Sequence, residues 1–183
     1  MKTFYEFLLE KQISGAGLHV FDIDSTLFHT SAKVNLDGGN PDFSEFRSAE
    51  KFANESRPNE RMLTKMRTLH DKAKKTGGKV IINTARADFD DRDKFLDTFR
   101  KHNVDIDNIH VHRAGNITSG SVGEKKASII RNHLNTGKYS HASLYDDSEE
   151  NLNHFLELKK EFPHIHFNAQ HVKPNGNSKR YHR

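Results

Sequence analysis

Two aspartates one residue apart follow an apolar run near the start of the chain, in the segment "HVFDIDSTLF" at residues 19–28. Such a run is typical of a buried strand, where an unpaired carboxylate is costly, so packing alone does not explain Asp22 and Asp24. Two neighbouring carboxylates can divide the work of phosphoryl transfer. One attacks phosphorus, and the other protonates the leaving oxygen and later deprotonates water. A D-x-D pair is common in surface loops, so this interpretation needs support from elsewhere in the chain.

Polar residues also follow two later apolar runs. Thr84 comes directly after "VIIN" with Arg86 two residues later, and Asp146 and Asp147 come directly after "HASLY". In an open parallel sheet the carboxyl ends of the strands meet at one edge, and ligands bind there. Three or four carboxylates gathered at that edge need a cation, and oxygen ligands in a chain without cysteine favour Mg²⁺. A lysine and a threonine hydroxyl beside the ion would complete a site for a phosphoryl group.

Short apolar runs alternate along the chain with segments of helical periodicity. The predicted strands are residues 17–22, 79–83, 108–112, 141–145 and 165–172. The predicted helices are residues 2–12, 59–76, 89–102, 124–135 and 148–161. This alternation predicts an α/β fold, a three-layer αβα sandwich around a Rossmann-like parallel sheet of about five strands.

Two segments fall outside the alternation. Residues 28–57 separate the first strand from the first regular helix, and a turn with a short helix around residues 43–55 predicts a small flap. Residues 173–183 are polar and basic, so we expect this tail to be flexible. The whole chain, residues 1–183, is predicted to be one domain with its core at residues 17–172.

The composition limits the class of protein. The mean hydropathy is −0.85, no apolar stretch is long enough to cross a bilayer, and the first residues lack the features of a signal peptide. The absence of cysteine agrees with a reducing compartment, so we expect a cytoplasmic protein without membrane contact. A formal charge of +4 and a pI near 9.2 weakly favour anionic partners, which makes nucleic acid a candidate partner. The composition leaves the oligomeric state open.

In order along the chain, these segments resemble the four motifs of the haloacid dehalogenase (HAD) superfamily of phosphotransferases. The first motif is an apolar strand followed by D-x-D-x-T, here Asp22 to Thr26. The second is a strand that ends in Thr or Ser, here "VIINT" ending at Thr84, and the third is a lysine that opens a helix, here within "EKKASII". The fourth is an acidic pair after a strand, here "LYDDSEEN". The resemblance covers residues 17–172 and extends loosely to small, nearly capless phosphatases from phage and bacteria.

The resemblance implies catalytic roles. Asp22 would be the nucleophile, Asp24 the general acid and base, and Thr84 the hydroxyl that holds a phosphoryl oxygen. The lysine that screens the phosphate charge is Lys125 or Lys126. Lys126 fits the family pattern K-A-x-x-[IL] better, because it stands just ahead of the buried stripe of the helix.

The resemblance also implies a Mg²⁺ site and a substrate site. Asp146 would bind Mg²⁺ with Asp22 and the backbone carbonyl of Asp24, and Asp147 would support the metal or the lysine. The candidate substrate contacts are Ser25, Arg86 and Lys125.

Several of these residues have an interpretation that involves no chemistry. Asp146 and Asp147 could only cap the next helix, and Thr84 could begin a loop in which Asp88 is the cap. The two lysines could belong to a solvated helix end. Arg86 could pair with the acidic segment "DFDDRD" instead of a substrate. The presence of all four motifs in the right order favours the functional interpretation.

Two further groups of residues are ambiguous. The histidine pairs at 110/112 and 164/166 have the spacing of metal ligands but are more typical of outward positions on strands. In the flap, basic residues could meet an anionic substrate and aromatic residues could stack on a base, although this aromatic spacing favours packing of the flap onto the core. These flap residues are Arg47, Lys51, Arg57, Phe43, Phe46 and Phe52.

We therefore expect a Mg²⁺-dependent phosphomonoester hydrolase that forms an aspartyl-phosphate on Asp22. The insertion sites at which the family places its caps are small here, so the site is predicted to be open. An open site suits a nucleotide, a phosphorylated nucleic-acid end or another phosphomonoester. One alternative is a catalytically silent module that binds nucleic acid or has a structural role. Another is a phosphotransferase, because only the access of water separates transfer to another acceptor from hydrolysis.

Overall fold

The computed structural model describes residues 15–183, so the helix predicted for residues 2–12 lies outside the described residues. The strands are β1 (Gly17–Phe21), β2 (Phe28–His29), β3 (Asn35–Asp37), β4 (Asn40–Asp42), β5 (Arg57–Pro58), β6 (Lys79–Thr84), β7 (His110–Arg113), β8 (His141–Asp146), β9 (His166–Val172) and β10 (Ser178–Arg180). The α-helices are α1 (Ser44–Arg47), α2 (Ala49–Glu55), α3 (Glu60–Thr76), α4 (Arg92–Arg100), α5 (Val122–Leu134) and α6 (Glu149–Glu157). Short 3₁₀ turns lie at Ile106–Asn108, Ala114–Asn116 and Leu158–Lys160.

The main sheet has six strands in the order β10-β9-β8-β1-β6-β7. All neighbouring pairs are parallel except β9 and β10, which are antiparallel. The chain leaves β1 toward β6 and β7 and later returns to β8 on the other side, so the strand order reverses between β1 and β8. In such sheets, ligands usually bind at the carboxyl ends of the strands next to a reversal of this kind.

Helices cover both faces of the sheet, as the alternating pattern predicts. Leu18 and Val20 of β1 pack toward α5 and α6, whereas Phe21 packs toward the side that carries α2, α3 and α4. Buried side chains of this size contribute about 1.5–3 kcal/mol each, so both faces of β1 are strongly stabilised. The predicted three-layer αβα architecture is confirmed.

The register of the central strands brings two aspartates to the same level. Phe21, the last residue of β1, pairs with Tyr145 of β8 and with Ile82 of β6. The residues that follow Phe21 and Tyr145 are Asp22 and Asp146, and the backbone N–H of Asp22 donates to the carbonyl of Tyr145 at 3.0 Å. The hydrophobic pairing therefore sets the two carboxylates side by side.

Two helices begin at residues with strong capping preferences, and one of them also ends at a glycine. Asn59 accepts a hydrogen bond from the backbone at the start of α3, and Gly77 ends that helix with a φ of 72°. Ser121 and Glu124 form a reciprocal capping box at the start of α5. The capping box fixes the first turn of the helix that carries both candidate lysines.

The caps of two other helices differ from the sequence interpretation. Asp91, not Asp88, accepts a hydrogen bond from the first turn of α4. Ser148, not Asp147, caps α6 and accepts from the backbone N–H of Asn151 at 3.4 Å. In both segments several residues suited to capping stand close together, and the packing of the helix decides which of them is used. The carboxylate of Asp147 is consequently not used as the helix cap.

The flap at residues 28–57 is held on the core by its second helix. The predicted helix around residues 43–55 forms as two short helices, with Ser48 ending α1 and capping α2. Phe52 of α2 is buried, and the N–H of Ala49 donates to Asp90 at 2.8 Å. Leu36 in the β3–β4 hairpin and Phe43 remain exposed.

The tail differs from the prediction of a flexible end. Residues 178–180 form β10, which pairs antiparallel with β9. Tyr181 then bonds the carbonyl of Ala169 through its backbone N–H at 2.9 Å and the side chain of Asn153 through its hydroxyl at 3.1 Å.

In residues 15–183, no helix combines the length and the apolar character that a bilayer crossing needs.

Candidate active site

Lys126 is the centre of a buried cluster at the carboxyl ends of β1 and β8. Its Nζ donates to Oδ1 of Asp22 at 2.7 Å and to Oδ2 of Asp146 at 2.8 Å. The exposed fraction is 2% for Lys126, 4% for Asp22 and 0% for Asp146. Charge-assisted hydrogen bonds of this length in a site shielded from water are strong and fix the three groups relative to one another.

Neighbouring polar groups hold the cluster in place. Asp146 accepts from the backbone N–H of Ser148 at 3.0 Å and from the amide of Asn151, whose Nδ2 lies 3.0 Å from Oδ1 and 3.2 Å from Oδ2. Asn83, the next-to-last residue of β6, donates through its side-chain amide to the backbone carbonyl of Lys126 at 3.0 Å. The lysine is thus positioned both by the start of α5 and by the end of the strand beside β1.

The charges of the cluster shift the pKa values of its members. Burial alone would lower the pKa of Lys126, but the attraction of Asp146 and Asp22 outweighs burial and raises it. Burial raises the pKa of Asp22 well above its usual value, with Asp146 adding to the effect and Lys126 opposing it. The ammonium of Lys126 therefore stays charged, whereas its charge does not fully offset the cost of burying the Asp22 carboxylate.

A third carboxylate, Asp147, completes a potential metal site. One carboxylate oxygen from each of Asp22, Asp146 and Asp147 lies within 4.8 Å of the others. Burial and the charge of Asp146 raise the pKa of Asp147 to about 6. A set of carboxylate oxygens without nitrogen or sulfur suits a hard divalent cation such as Mg²⁺, and one ammonium cannot balance three negative charges. The residues present therefore fit Mg²⁺.

Asp24 is separated from this triad by a tight turn after β1. The carbonyl of Ile23 accepts the backbone N–H groups of Thr26, Leu27 and Phe28 at 3.0–3.2 Å. Ser25 has a φ of 59°, which is rare for a residue with a side chain and reverses the chain direction. Although Asp22 and Asp24 are two residues apart, their carboxylates consequently have different partners.

Arg86 is the main partner of Asp24, which neither sequence interpretation of this arginine included. Its Nε lies 2.9 Å from Oδ2 and its Nη2 lies 2.6 Å from Oδ1 of Asp24. Arg86 is only 3% exposed, and its side-chain hydrogen bonds go to Asp24 and the backbone of Phe46, not to the acidic segment at residues 88–93. In this structure Arg86 holds a carboxylate of the protein itself, and its role as a substrate contact stays a prediction.

The other predicted residues are placed as follows. Thr84, the last residue of β6, is buried, and its hydroxyl oxygen accepts from the backbone N–H of Arg86 at 3.2 Å. Lys125 is partly exposed and makes no contact with the acidic cluster among the described residues, in contrast to its neighbour Lys126. Ser25 is exposed at the turn beside Asp24. The structure thus brings together Asp22, Lys126, Asp146 and Asp147, with Asp24, Thr84 and Arg86 linked beside them.

Sequence reasoning missed three residues that bind the site's carboxylates. Asn151 and the backbone of Ser148 bond Asp146, and the hydroxyl of Thr30 donates to Oδ1 of Asp24 at 2.6 Å. A signal for Asn151 exists, because an amide three residues after a helix cap faces back toward the preceding loop. No local pattern marks Thr30, since its contact depends on how the flap leaves β1.

His112 and the flap residues Phe52 and Lys51, whose roles the sequence left open, make contacts outside the acidic cluster. His112 and His133 approach each other at 2.8 Å between their Nε2 atoms, and burial lowers the pKa of both to about 4. Such a pair is explained by one N–H···N hydrogen bond between neutral rings. In the flap, Phe52 is buried as expected, and Lys51 forms ion pairs with Glu45 and Glu55.

Comparison with known proteins identifies the fold. No protein-family model and no curated protein matches the sequence. The HAD domain of the effector protein Lem4 from Legionella pneumophila superposes with a TM-score of 0.59 at 14% identity, covering 87% of each chain. An inactive mutant of the same domain gives a TM-score of 0.58 at 11% identity, again over 87% of each chain. At these identities the likeness concerns the fold alone, and we conclude that this chain has the HAD-like fold.

Proposed function

We propose that this protein is a Mg²⁺-dependent phosphomonoesterase in which Asp22 is phosphorylated during turnover. The observation that carries the proposal is the contact of one buried ammonium, that of Lys126, with both Asp22 and Asp146, beside the third carboxylate of Asp147. The cluster lies where the strand order reverses, the usual ligand site of α/β sheets. A purely structural ion pair would need no third, half-buried acid at this position, because each uncompensated charge is costly.

Asp22 and Asp24 carry the covalent and the proton-transfer steps of the proposed reaction. An oxygen of Asp22 attacks phosphorus while the bond from phosphorus to the leaving oxygen breaks, and Asp24 gives its proton to that oxygen. Asp24 then accepts a proton from the water that attacks the aspartyl-phosphate. Release of inorganic phosphate returns both carboxyl groups to their starting states.

The remaining residues supply charge and orientation. Mg²⁺ would be held by Asp22, Asp146 and Asp147 with the backbone carbonyl of Asp24, and when bound it supplies positive charge near the phosphoryl oxygens. Lys126 adds a positive charge that the protein fixes in place.

Three further residues complete the proposed substrate site. Thr84 would hold a phosphoryl oxygen through its hydroxyl, while Ser25 and Lys125 remain candidate substrate contacts at the edge of the site.

The proposed substrates are nucleotides, phosphorylated nucleic-acid ends or other phosphomonoesters, in the cytoplasm. Base stacking by the flap has limited support, because Phe52 is buried and Phe46 packs on Arg86, which leaves Phe43 as the exposed ring of the three. Lys51 is engaged with two glutamates. A screen of nucleotides, sugar phosphates and phosphorylated DNA or RNA ends is therefore the direct route to the substrate.

The central experiment compares wild type with Asp22→Asn on p-nitrophenyl phosphate in the presence of Mg²⁺. Loss of the nucleophile should lower kcat by at least roughly 10⁴-fold. Asp37→Asn, an exposed aspartate of the flap hairpin, is the matched control and should retain wild-type turnover. Acid-quenched wild type should carry phosphate that Asp22→Asn lacks.

Three other outcomes would change the assignment. Equal rates for wild type and Asp22→Asn would overturn the proposed nucleophile. Phosphate found on an added alcohol rather than free in solution would indicate a phosphotransferase. Salt-sensitive binding of nucleic acid with no turnover of any phosphomonoester would indicate the silent binding module.

A further inference from the structure

Arg86 donates two parallel hydrogen bonds to the carboxylate of Asp24. Nε bonds one carboxylate oxygen and Nη2 bonds the other, the fork geometry that orients a carboxylate in a plane. Arg86 is itself rigid, because it is buried and its guanidinium lies 5.1–5.3 Å from the ring centroids of Phe46, Phe52 and Phe89. Asp24 therefore cannot rotate without breaking a strong contact to an immobile partner.

The hydrogen bonds leave one particular oxygen of Asp24 available. Oδ1 accepts from both Arg86 and Thr30, which uses its two acceptor positions. Oδ2 accepts from the Nε of Arg86, so one acceptor position on this oxygen remains among the contacts of the described residues. Any proton that Asp24 exchanges with a substrate or water is therefore carried by Oδ2.

Arg86 also joins this carboxylate to the flap. Its Nη1 donates to the backbone carbonyl of Phe46 in α1 at 2.7 Å. Phe46 and Phe52, two of the three rings around the guanidinium, belong to the flap as well. The orientation of Asp24 thus depends on the flap being seated on the core.

We propose that Arg86 is a positioning residue that presents Oδ2 of Asp24 to the leaving oxygen, and that the seated flap maintains this arrangement. The proposal rests on the proposed phosphomonoesterase function and deepens it. In this role Arg86 acts through Asp24 rather than by contact with the phosphate or the leaving group. A competing explanation is that the ion pair only attaches the flap to the core, and the two explanations predict different kinetics.

The test is the dependence of the rate on the leaving group. An alkyl phosphate such as glycerol 2-phosphate needs a proton on its leaving oxygen, whereas 2,4-dinitrophenyl phosphate has a leaving group that departs without one. Arg86→Lys keeps a positive charge among the three rings but lacks the fork. Because Asp24 also serves the later attack of water, the comparison uses kcat/KM, which reports the steps up to departure of the leaving group. We expect the kcat/KM of Arg86→Lys to fall at least about tenfold more for the alkyl phosphate than for the dinitrophenyl ester.

Two comparisons complete the kinetic test. In kcat/KM, Asp24→Asn should show the same preference for the activated ester. Combining it with Arg86→Lys should cause little further loss on the alkyl phosphate, because both substitutions affect the same transfer of a proton to the leaving oxygen. Arg113→Lys is the matched control. Arg113 is the last residue of the strand next to β6, its guanidinium lies 5.7 Å from the ring centroid of Phe95, and it contacts no carboxylate of the site.

The outcomes separate the positioning role from the proposed function. An equal loss for both esters in Arg86→Lys, or additive losses in the double variant, would overturn the positioning role while leaving the phosphomonoesterase intact. Absence of wild-type turnover on every ester would overturn the function instead. Limited proteolysis tests the link between Arg86 and the flap without an activity assay. Trypsin should cleave after Arg47, in the flap, faster in Arg86→Lys than in the wild type or in Arg113→Lys. Unchanged cleavage would contradict the link.

Discussion

Asp22 and Asp146 face each other across the boundary between β1 and β8 and share the ammonium of Lys126, at 2.7 and 2.8 Å. The two aspartates are far apart in the sequence, and the pairing of Phe21 with Tyr145 brings them to the same level. Two buried carboxylates that both lie within hydrogen-bond distance of one ammonium would repel each other if that cation were absent. The lysine is therefore needed for the fold as well as for the proposed chemistry.

We predict that Lys126→Met strongly destabilises the protein in the absence of divalent cations. Removal of the ammonium leaves two buried carboxylates uncompensated, and the loss of one member of a buried ion pair typically costs about 3–5 kcal/mol. Urea unfolding at neutral pH measures the change. Lys125→Met is the adjacent control and should change the free energy of unfolding by less than about 0.5 kcal/mol. Equal effects of the two substitutions would contradict the placement of Lys126.

Binding of Mg²⁺ is predicted to stabilise the wild type. A ligand that binds only the folded state adds about 2.7 kcal/mol at a concentration one hundred times its Kd, so the thermal midpoint should rise with Mg²⁺. Asp147→Asn removes one of the three carboxylates and should weaken the binding at least about tenfold. Asp71→Asn, at an exposed position of α3, should bind Mg²⁺ as the wild type does. A midpoint that does not respond to Mg²⁺ in the wild type would argue against the metal site.

Mild acid is predicted to destabilise the fold through His19. Burial lowers the pKa of this residue to about 4, with the charge of His141 adding to the effect, whereas an unfolded histidine titrates near 6.5. Between these values the unfolded chain binds the additional proton, so stability is complete above pH 6.5 and falls as the pH drops toward 4. For this one group the loss from pH 7 to pH 5 is about 2 kcal/mol.

The matched variants are His19→Gln and His182→Gln. Urea unfolding at pH 7 and pH 5 should show a smaller pH dependence in His19→Gln, because the buried group no longer titrates. His182 is exposed near the end of the chain, so its replacement should leave the pH dependence unchanged. If His19→Gln lost stability with acid as steeply as the wild type, this histidine would not be the cause.

The last strand is predicted to contribute to stability but not to turnover. A chain that ends at Asn177 lacks β10 and the contacts of Tyr181 with Ala169 and Asn153, and we expect a loss of roughly 1–3 kcal/mol. A chain that ends at Tyr181 keeps these contacts and is the control. Thermal unfolding and phosphatase assays would measure both, and a loss of turnover in the folded shorter chain would contradict this separation.

The sequence predicts those parts of the fold that depend on local patterns. The alternation of apolar strands and amphipathic helices predicts the αβα sandwich. The helical phase favours Lys126 over Lys125, and Lys126 is the lysine that the structure buries. The acidic pair after "HASLY" also lies at the edge of the sheet where the strand pattern puts it. These features depend on neighbouring residues and on the general geometry of parallel sheets.

Features that depend on distant contacts could not be predicted in this way. The pairing of Arg86 with Asp24 needs the flap, whose path after β1 has no strong periodicity. β10 is a short polar strand, and its pairing with β9 outweighs its weak propensity. In α4 several aspartates near the start are equally suited as caps, and tertiary packing selects Asp91.

The order of the strands along the chain has a consequence for assembly. Asp22 directly follows β1, whereas Lys126 and Asp146 come from the second half of the chain, whose strands flank β1 on the side away from β6. A chain cut in the loop before α5 would put the proposed nucleophile on one fragment and its charge partners on the other. Each fragment would expose apolar sheet surface, and complementation would restore the pocket only when β1 and β8 pair again.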